Sequence, residues 1–497
     1  MLAFGLHETG GRFAYPLDDT YIHMAIAQTL AEDGVWGIDA REFVSGSSSM
    51  AWTMILALWF KLGGGDLGPL LINLLIALGT LFACDRIGVR YGLSALSRLT
   101  TSFAIILVTP LPVMAAMGME HCLQALVFVL FLASAAQYLA TREKWLPTLA
   151  LLALTTAVRP EGLFAAAAFG LLLLLRRDFA AAVIAGAVAA APIALFGAYS
   201  IWNGAYPVPN SVLLKAGLVT PDEGALLVTL GKIVPKLLGC GVIVAAAIVA
   251  MAILRHAARD ERWYFAALWL GAAFLHTLLA PFGWLFRYEA YLVASGVLLI
   301  GLSFDLMRSL QAELIGKPKL KMTVYLGAAI LAGEALSRVV AAHWVGAAAM
   351  RDRYYENVAS AEFIKQHYDG QAVLMNDIGA VAYLSDAKVL DLFGLGSNEP
   401  IAFQRSGRGY DAADVDRWAR REGAKIALVK VEWSAIGALV PPGWQRVATW
   451  HLPRNLVFKD YELAFFASDD ESAQDLARRM RAFSRTMPSD VRVTFER

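Results

Sequence analysis

A polytopic α-helical membrane protein followed by an extracytoplasmic α/β domain is the fold class this sequence predicts, on three observations. The chain of 497 residues is 58% hydrophobic and 17% charged, with a mean hydropathy of +0.54, whereas soluble domains carry about 25% charged residues. Apolar runs recur at lengths that cross a hydrocarbon layer of about 30 Å. After about residue 345 charged residues return and the apolar runs shrink to strand length. A soluble core cannot hide that much apolar surface. Lys and Arg total 43 against 42 Asp and Glu, a balance that points away from nucleic acid and leaves any electrostatic message to where the charges sit.

The first seventeen residues contain no apolar stretch long enough to be a signal peptide or a spanning helix. An amphipathic stretch comes after Asp18, and the short apolar segment 48–62 is expected in or on the outer leaflet. Spanning runs are expected at 67–90, 98–116, 119–140, 179–202, 237–254, 263–280, 286–304 and 322–343. Two shorter runs, 146–158 and 161–176, flank Arg159-Pro160-Glu161 and read as half-helices meeting at a break. Unpaired backbone at membrane depth survives only when buried in protein or lining a cavity. Together these make about ten spans. Beyond them, strands are predicted at 372–376, 389–393, 425–431 and 455–466, and helices at 354–367, 411–422 and 469–484. The expected division is a membrane module over 1–345 and an α/β domain over 346–497. Cys84, Cys122 and Cys240 all fall inside apolar runs without metal-ligand spacing, against a disulfide framework or a cysteine-based metal site.

Sidedness can be read from basic residues, which concentrate in cytoplasmic loops. Fourteen Lys and Arg fall in the loops at 86–98, 142–144, 176–177, 255–262 and 308–321. The alternate loops hold five, Arg159, Lys215, Lys232, Lys236 and Arg287. The first set is therefore expected in the cytoplasm, which puts residues 1–66, the Met117–Glu120 turn, the loop after Trp202, Arg287 and everything after about 345 outside. The chain would then begin outside, so an upstream spanning helix is expected to precede it.

On that outer face the polar residues that can carry chemistry gather. Asp18 and Asp19, in Leu17-Asp18-Asp19-Thr20-Tyr21-Ile22, form an adjacent carboxylate pair that can serve as a general base, a metal ligand, or both; an Asp-rich helix cap is the alternative. Glu120 opens an apolar helix, with His121 beside it. Arg159 and Glu161 can pair across the helix break, and Glu334 and Arg338 stand four residues apart on the last spanning helix, where they can neutralise each other.

These stretches carry a resemblance. LDDTYI with the later GSSSMAW, GMEHCLQALVF, AVRPEGLF, YPVPNSVLLK and FRYEAYL together resemble the GT-C class of membrane glycosyltransferases, and within it the cell-wall (terminal) arabinofuranosyltransferases and their bacterial relatives. The likeness spans most of residues 15–300, and NDIGAVAYLSD with VLDLFGL is similar to the stretch after the membrane part in such proteins. The resemblance implies a GT-C-like module in the inner (plasma) membrane, acting on its extracytoplasmic face. It implies transfer of a sugar, in one case an arabinofuranosyl group, from a polyprenyl-phosphate donor to a glycan or lipid-linked acceptor. Alternatives are a lipid A or protein glycosyltransferase of the same class, or a polyprenyl-lipid transporter or flippase.

On this picture the donor leaves as a lipid phosphate and needs positive charge beside it. Arg287, with Tyr288, stands where a guanidinium can grip phosphate bidentately, and Lys215 is either a second phosphate contact or a solvated loop lysine. Asp18 is the expected base, with Asp19 and Glu120 completing the catalytic acids and holding a divalent metal if one is used. Tyr21, His121, Arg159, Glu161 and Asn210 are expected to line the site. No cofactor is required. Attack assisted by one base would invert the anomeric centre.

Overall fold

The computed structural model describes residues 2–217, 235–237, 239–306, 318–405, 410–432, 434–453, 461–488 and 490–496. Arg308, Lys317 and Lys232, and the side chains of Lys215 and Lys319, lie outside the described residues. Up to His367 the described chain is almost entirely helical. Four helices are long and apolar enough to cross a membrane by length and composition: Gly68–Arg90, His121–Thr141, Phe179–Trp202 and the continuous helix Val324–His367. Their outward faces carry large apolar side chains, among them Leu75, Phe82, Val183 and Leu195, a pattern suited to lipid rather than water.

Several expected runs take a different form. The 98–116 run is two helices, Ala95–Val108 and Leu111–Met117, bent by 46°, because Pro110 has no N–H to donate and its ring blocks a continuous helix. Arg159-Pro160-Glu161 does separate two helices, Trp145–Val158 and Gly162–Leu175, and both pack on Phe179–Trp202. The 286–304 run is helical only over Ala290–Leu302. Before it the backbone is left-handed for four residues, with φ of +81° at Gly283, +45° at Trp284, +61° at Leu285 and +64° at Phe286. The last apolar run extends far past 343: Pro318–Arg353 continues through a π-helical turn, Tyr354–Val358, into Ala359–His367. A rod without a break therefore joins the two halves of the chain. Cys84, Cys122 and Cys240 are buried free thiols.

The C-terminal part is a six-stranded mixed sheet of β1 (Ala372–Met375), β2 (Lys388–Asp391), β3 (Ile426–Val429), β4 (Gln445–His451), β5 (Glu462–Ala467) and β6 (Arg492–Phe495), in the order β2-β1-β3-β5-β4-β6. β1 pairs in parallel with both β2 and β3, with Met375 opposite Asp391 on one side and Leu428 on the other. The remaining pairings are antiparallel. Alternation divides each strand between two apolar layers. Val373, Met375, Ile426 and Leu428 meet Phe363, Leu476, Met480 and Phe483 on one face, while Leu374, Ala427 and Val429 meet Val415, Trp418 and Ala419 on the other. Cover on both faces explains why these strands read as unbroken apolar runs.

The first of those layers does not stop at the sheet. It runs on into Tyr21, Ile22, Met24 and Ile26 of the helix Asp18–Glu32, and into Trp52 and Leu56 of the helix Met50–Lys61. The C-terminal domain shares a core with the N-terminal helices, so its strand ends are held at a fixed distance from the membrane module.

Candidate active site

A cavity of about 450 Å³ lies at that junction. The membrane module lines it with Asp18, Asp19, His23, Ser48, Arg159, Arg287 and Tyr288, and the C-terminal domain with Arg353, Asn376, Asp377, Asp391 and Phe393.

Asp18 and Asp19 do not act as a pair. Consecutive residues on an α-helix point about 100° apart, and these two diverge to different partners. Asp18 accepts hydrogen bonds from the backbone N–H of Gly379 (2.6 Å) and Ala380 (3.0 Å) and from Asn357 Nδ2 (3.0 Å). It thus caps a helix of the other half, Gly379–Leu384, rather than its own. Burial, reinforced by the neighbouring Asp377 carboxylate, raises the proton affinity of Asp18 well above the usual carboxylate range. Asp19 remains 42% exposed and binds Arg287 Nη2 at 2.8 Å.

The contact at Gly379 leaves no room for a side chain: a Cβ there would overlap the Asp18 carbonyl oxygen and stand 2.9 Å from its carboxyl carbon. Gly379→Ala is therefore expected to loosen the junction by about 1–3 kcal/mol, seen as a lower unfolding midpoint in detergent and faster tryptic cleavage near Arg353. Gly443→Ala, where an added Cβ meets nothing within 4 Å, is the control and should behave like the parent.

Behind the cavity wall, Glu120 is fully buried and joins the helix break to the site. Arg159 Nη1 donates to Glu120 Oε1 at 2.5 Å, while its Nε and Nη2 grip Glu161 at 3.0 and 2.9 Å. Arg159 thus pairs with Glu161 as expected and reaches Glu120 as well. Ser48 donates to Glu120 at 3.5 Å, and His23 Nε2 lies 3.8 Å from the other carboxylate oxygen. His121 Nε2 is 3.3 Å from Arg159. Gly118, two residues before Glu120, has φ +70°, and a Cβ there would press on Thr20 and Tyr15; this accounts for glycine in Met117-Gly118-Met119-Glu120.

Arg287 is 4% exposed. Its Nη2 serves Asp19 and, at 3.2 Å, the hydroxyl of Tyr288, whose ring centroid lies 5.0 Å from the Arg287 guanidinium carbon and 5.7 Å from that of Arg159. Among the described residues, Arg287 Nε and Nη1 have no hydrogen-bond partner although both are buried. Such donors are costly to bury unmet, and they belong to a side chain that lines the cavity. The left-handed turn before Arg287 is held from below. Glu289 accepts from the Gly283 N–H (2.9 Å) and pairs with Arg338 (2.8 Å), both carboxylate and guanidinium being 1% exposed. Arg338 also donates to the carbonyls of Phe286 (3.3 Å) and Val108 (3.2 Å). Arg338 therefore serves a neighbouring segment, while its charge still acts on Glu334 four residues before it.

Of the other expected site residues, Tyr21 is buried and accepts from the Tyr15 N–H at 3.0 Å, a structural contact outside the cavity lining. Asn210 is fully buried and donates to Gly394 O (3.1 Å) and Asn398 Oδ1 (3.3 Å), so it anchors the loop after β2. Lys215 lies outside the described side chains. Among the described residues no group of three or more His, Cys, Asp and Glu is arranged to hold a metal ion; Asp18, Asp19 and Glu120 each face a different partner.

Apart from His23 and Ser48, the residues missed from sequence come from the C-terminal domain. Asp377 Oδ2 takes Arg353 Nη1 at 2.7 Å and Lys430 Nζ at 2.5 Å, and Lys430 also meets Glu356. The π-helical turn at 354–358 turns Glu356 and Asn357 inward, as such turns often do at functional sites. Asp391, whose carboxyl burial pushes up to about 6, folds the next loop by accepting from the Phe393 and Gly396 N–H groups at 2.8 and 2.7 Å. Asn376, Asp377, Asp391 and Lys430 sit at or just past the carboxyl ends of strands, and acids at the ends of apolar runs were the available signal.

Residues 342–466 match the family described as Domain of unknown function (DUF8728). The DUF8728 stretch, about a quarter of the chain, starts inside the long helix and contains Arg353, Asn357, Asp377, Gly379, Asp391 and Lys430. It thus includes the whole C-terminal wall of the cavity. No curated protein matches the chain.

Proposed function

We propose that this chain is a GT-C-type glycosyltransferase that moves a sugar from a polyprenyl-phosphate donor to a glycan or lipid-linked acceptor at the extracytoplasmic face of the inner membrane. The observation that carries this reading is Arg287: a buried guanidinium beside a cavity, with Nε and Nη1 unmet. Unmet N–H donors on a permanently charged guanidinium suit a leaving group that departs as an anion. About ten spans and the outward sidedness of the site belong to the same reading.

In the reaction an acceptor hydroxyl oxygen attacks the anomeric carbon as the bond from that carbon to the phosphate oxygen breaks. The proton passes to Asp18 and the polyprenyl phosphate leaves against Arg287. Burial raises the proton affinity of Asp18, which suits a base working near neutral pH, and two backbone N–H groups and Asn357 fix its direction. Asp19 holds Arg287 in register. Displacement with one base inverts the anomeric centre.

Asp18→Asn removes the base and keeps one of the two acceptor oxygens, the one shared by the Ala380 N–H and Asn357, while the Gly379 N–H loses its acceptor. Reconstituted with a panel of polyprenyl-phosphate sugars, the parent is expected to transfer sugar from at least one donor, and Asp18→Asn, assayed at a temperature where its unfolding curve shows it folded, to lose about 10²–10⁴ in rate. Absence of transfer from every donor, or an Asp18→Asn rate equal to the parent's, would remove the proposal.

A further inference from the structure

The two walls of the cavity differ in chemistry, and the difference describes a ligand. The membrane module offers Arg287 with unmet donors; the C-terminal domain offers acceptors and an aromatic side chain, Asp377, Asp391 and Phe393. A molecule that satisfies both walls is anionic at one end and bears hydroxyl groups at the other.

The domain wall stands where an open α/β sheet takes ligands. β1 lies between its parallel neighbours β2 and β3, so the connections of these strands leave to opposite sides. The crevice outside the carboxyl ends at such a reversal is the usual binding place. Asp377 projects from the end of β1 into that crevice and lines the cavity. Its bonds from Arg353 and Lys430 both end on Oδ2, and it also meets the Asp18 side chain, yet a carboxylate with about four lone-pair sites keeps acceptor capacity beyond these partners. Its side chain is 15% exposed. The two cations are themselves buried, Arg353 at 5% and Lys430 at 1% exposure, so the carboxylate is fixed in direction. A carboxylate held in this way attracts O–H donors and repels phosphate.

We infer that the C-terminal domain forms the glycosyl-binding half of the donor site, with Asp377 accepting hydrogen bonds from the hydroxyls of the sugar ring and Phe393 lying against the ring. The inference rests on the reading that Arg287 binds the donor phosphate. It makes the domain a reader of the sugar rather than an appendage to the membrane module, and a bare polyprenyl phosphate would leave its wall unused.

The test compares binding of polyprenyl phosphate with binding of pentofuranosyl and hexosyl polyprenyl phosphates to the full chain in detergent. The parent should bind one glycosylated lipid more tightly than the bare lipid. Asp377→Asn should weaken that lipid about tenfold and leave the bare lipid within about twofold, which also shows that the variant is folded. Phe393→Ala, outside the buried charge network, should shift the same preference and stands in if Asp377→Asn does not fold. Arg287→Ala should weaken both lipids equally. A parent with no preference for any glycosylated lipid, or a preference untouched by both domain variants, overturns the inference while the phosphate reading stands. Bare lipid binding unchanged by Arg287→Ala overturns the phosphate reading itself.

Discussion

Alanine at position 287 is expected to lower sugar transfer by about 10²–10³, the range found when one preorganised donor to a developing anion is removed, and to do so without unfolding the protein. Its carboxylate partner among the described residues explains the second half of that expectation. Asp19 is 42% exposed, so water can solvate it when the guanidinium is gone. The stacked Tyr288 loses a neighbour but keeps Arg159 at 5.7 Å. Lysine at 287 restores the charge but not the planar fork, and should recover only part of the rate. Single-turnover rates at saturating donor, beside a thermal unfolding curve, separate loss of chemistry from loss of fold. A rate for Arg287→Ala within twofold of the parent would remove the anion-binding role.

The second large effect is expected at a residue outside the cavity lining. Arg338→Met leaves Glu289 unpaired at 1% exposure, and stranding one partner of a buried ion pair costs about 3–5 kcal/mol. It also removes the donor to the Phe286 carbonyl that helps hold three consecutive non-glycine residues left-handed, a conformation costing about 1–2 kcal/mol each. The double variant Glu289→Met/Arg338→Met should recover much of the stability, since well-packed apolar replacements of a buried pair are often neutral. It should not recover donor affinity, because the turn that aims Arg287 stays unclamped. Unfolding midpoint and donor affinity would thus separate, the first restored and the second not. If affinity returned with stability, Arg338 would have no positioning role.

Much of the architecture was legible because it is local. Apolar runs marked the long helices, and the change of composition near 345 marked the start of the sheet region, with β1, β2 and β3 at the predicted runs. β4 was missed because Arg446, Thr449 and His451 break its apolar alternation, and β6 because it is four residues long with a partly exposed face. The early end of the 286–304 helix could not be read, since nothing in Trp284-Leu285-Phe286 favours left-handed backbone; Glu289 and Arg338 impose it. The division among the acids was equally hidden. Asp18 and Asp19 look equivalent in a line of text, and only the distant Gly379 and Arg287 distinguish them. Arg159, Glu161, Glu120 and Arg287 were found because a charge in an apolar run is conspicuous. Asp377 and Arg353 were missed because a charge in a polar domain is not.

The bond from Gly379 to Asp18 spans 361 residues, and that distance has a meaning in time. At about 5–20 residues per second of synthesis, the Asp18 carboxylate is on the order of 20–70 s old before the ribosome has made the amide that orients it. The membrane helices can insert and pack in that interval, but the wall carrying Asp377 and Asp391 does not yet exist. On the proposed reading chemistry waits until synthesis has passed Gly379, and a chain stalled before that residue lacks the amide that orients its base.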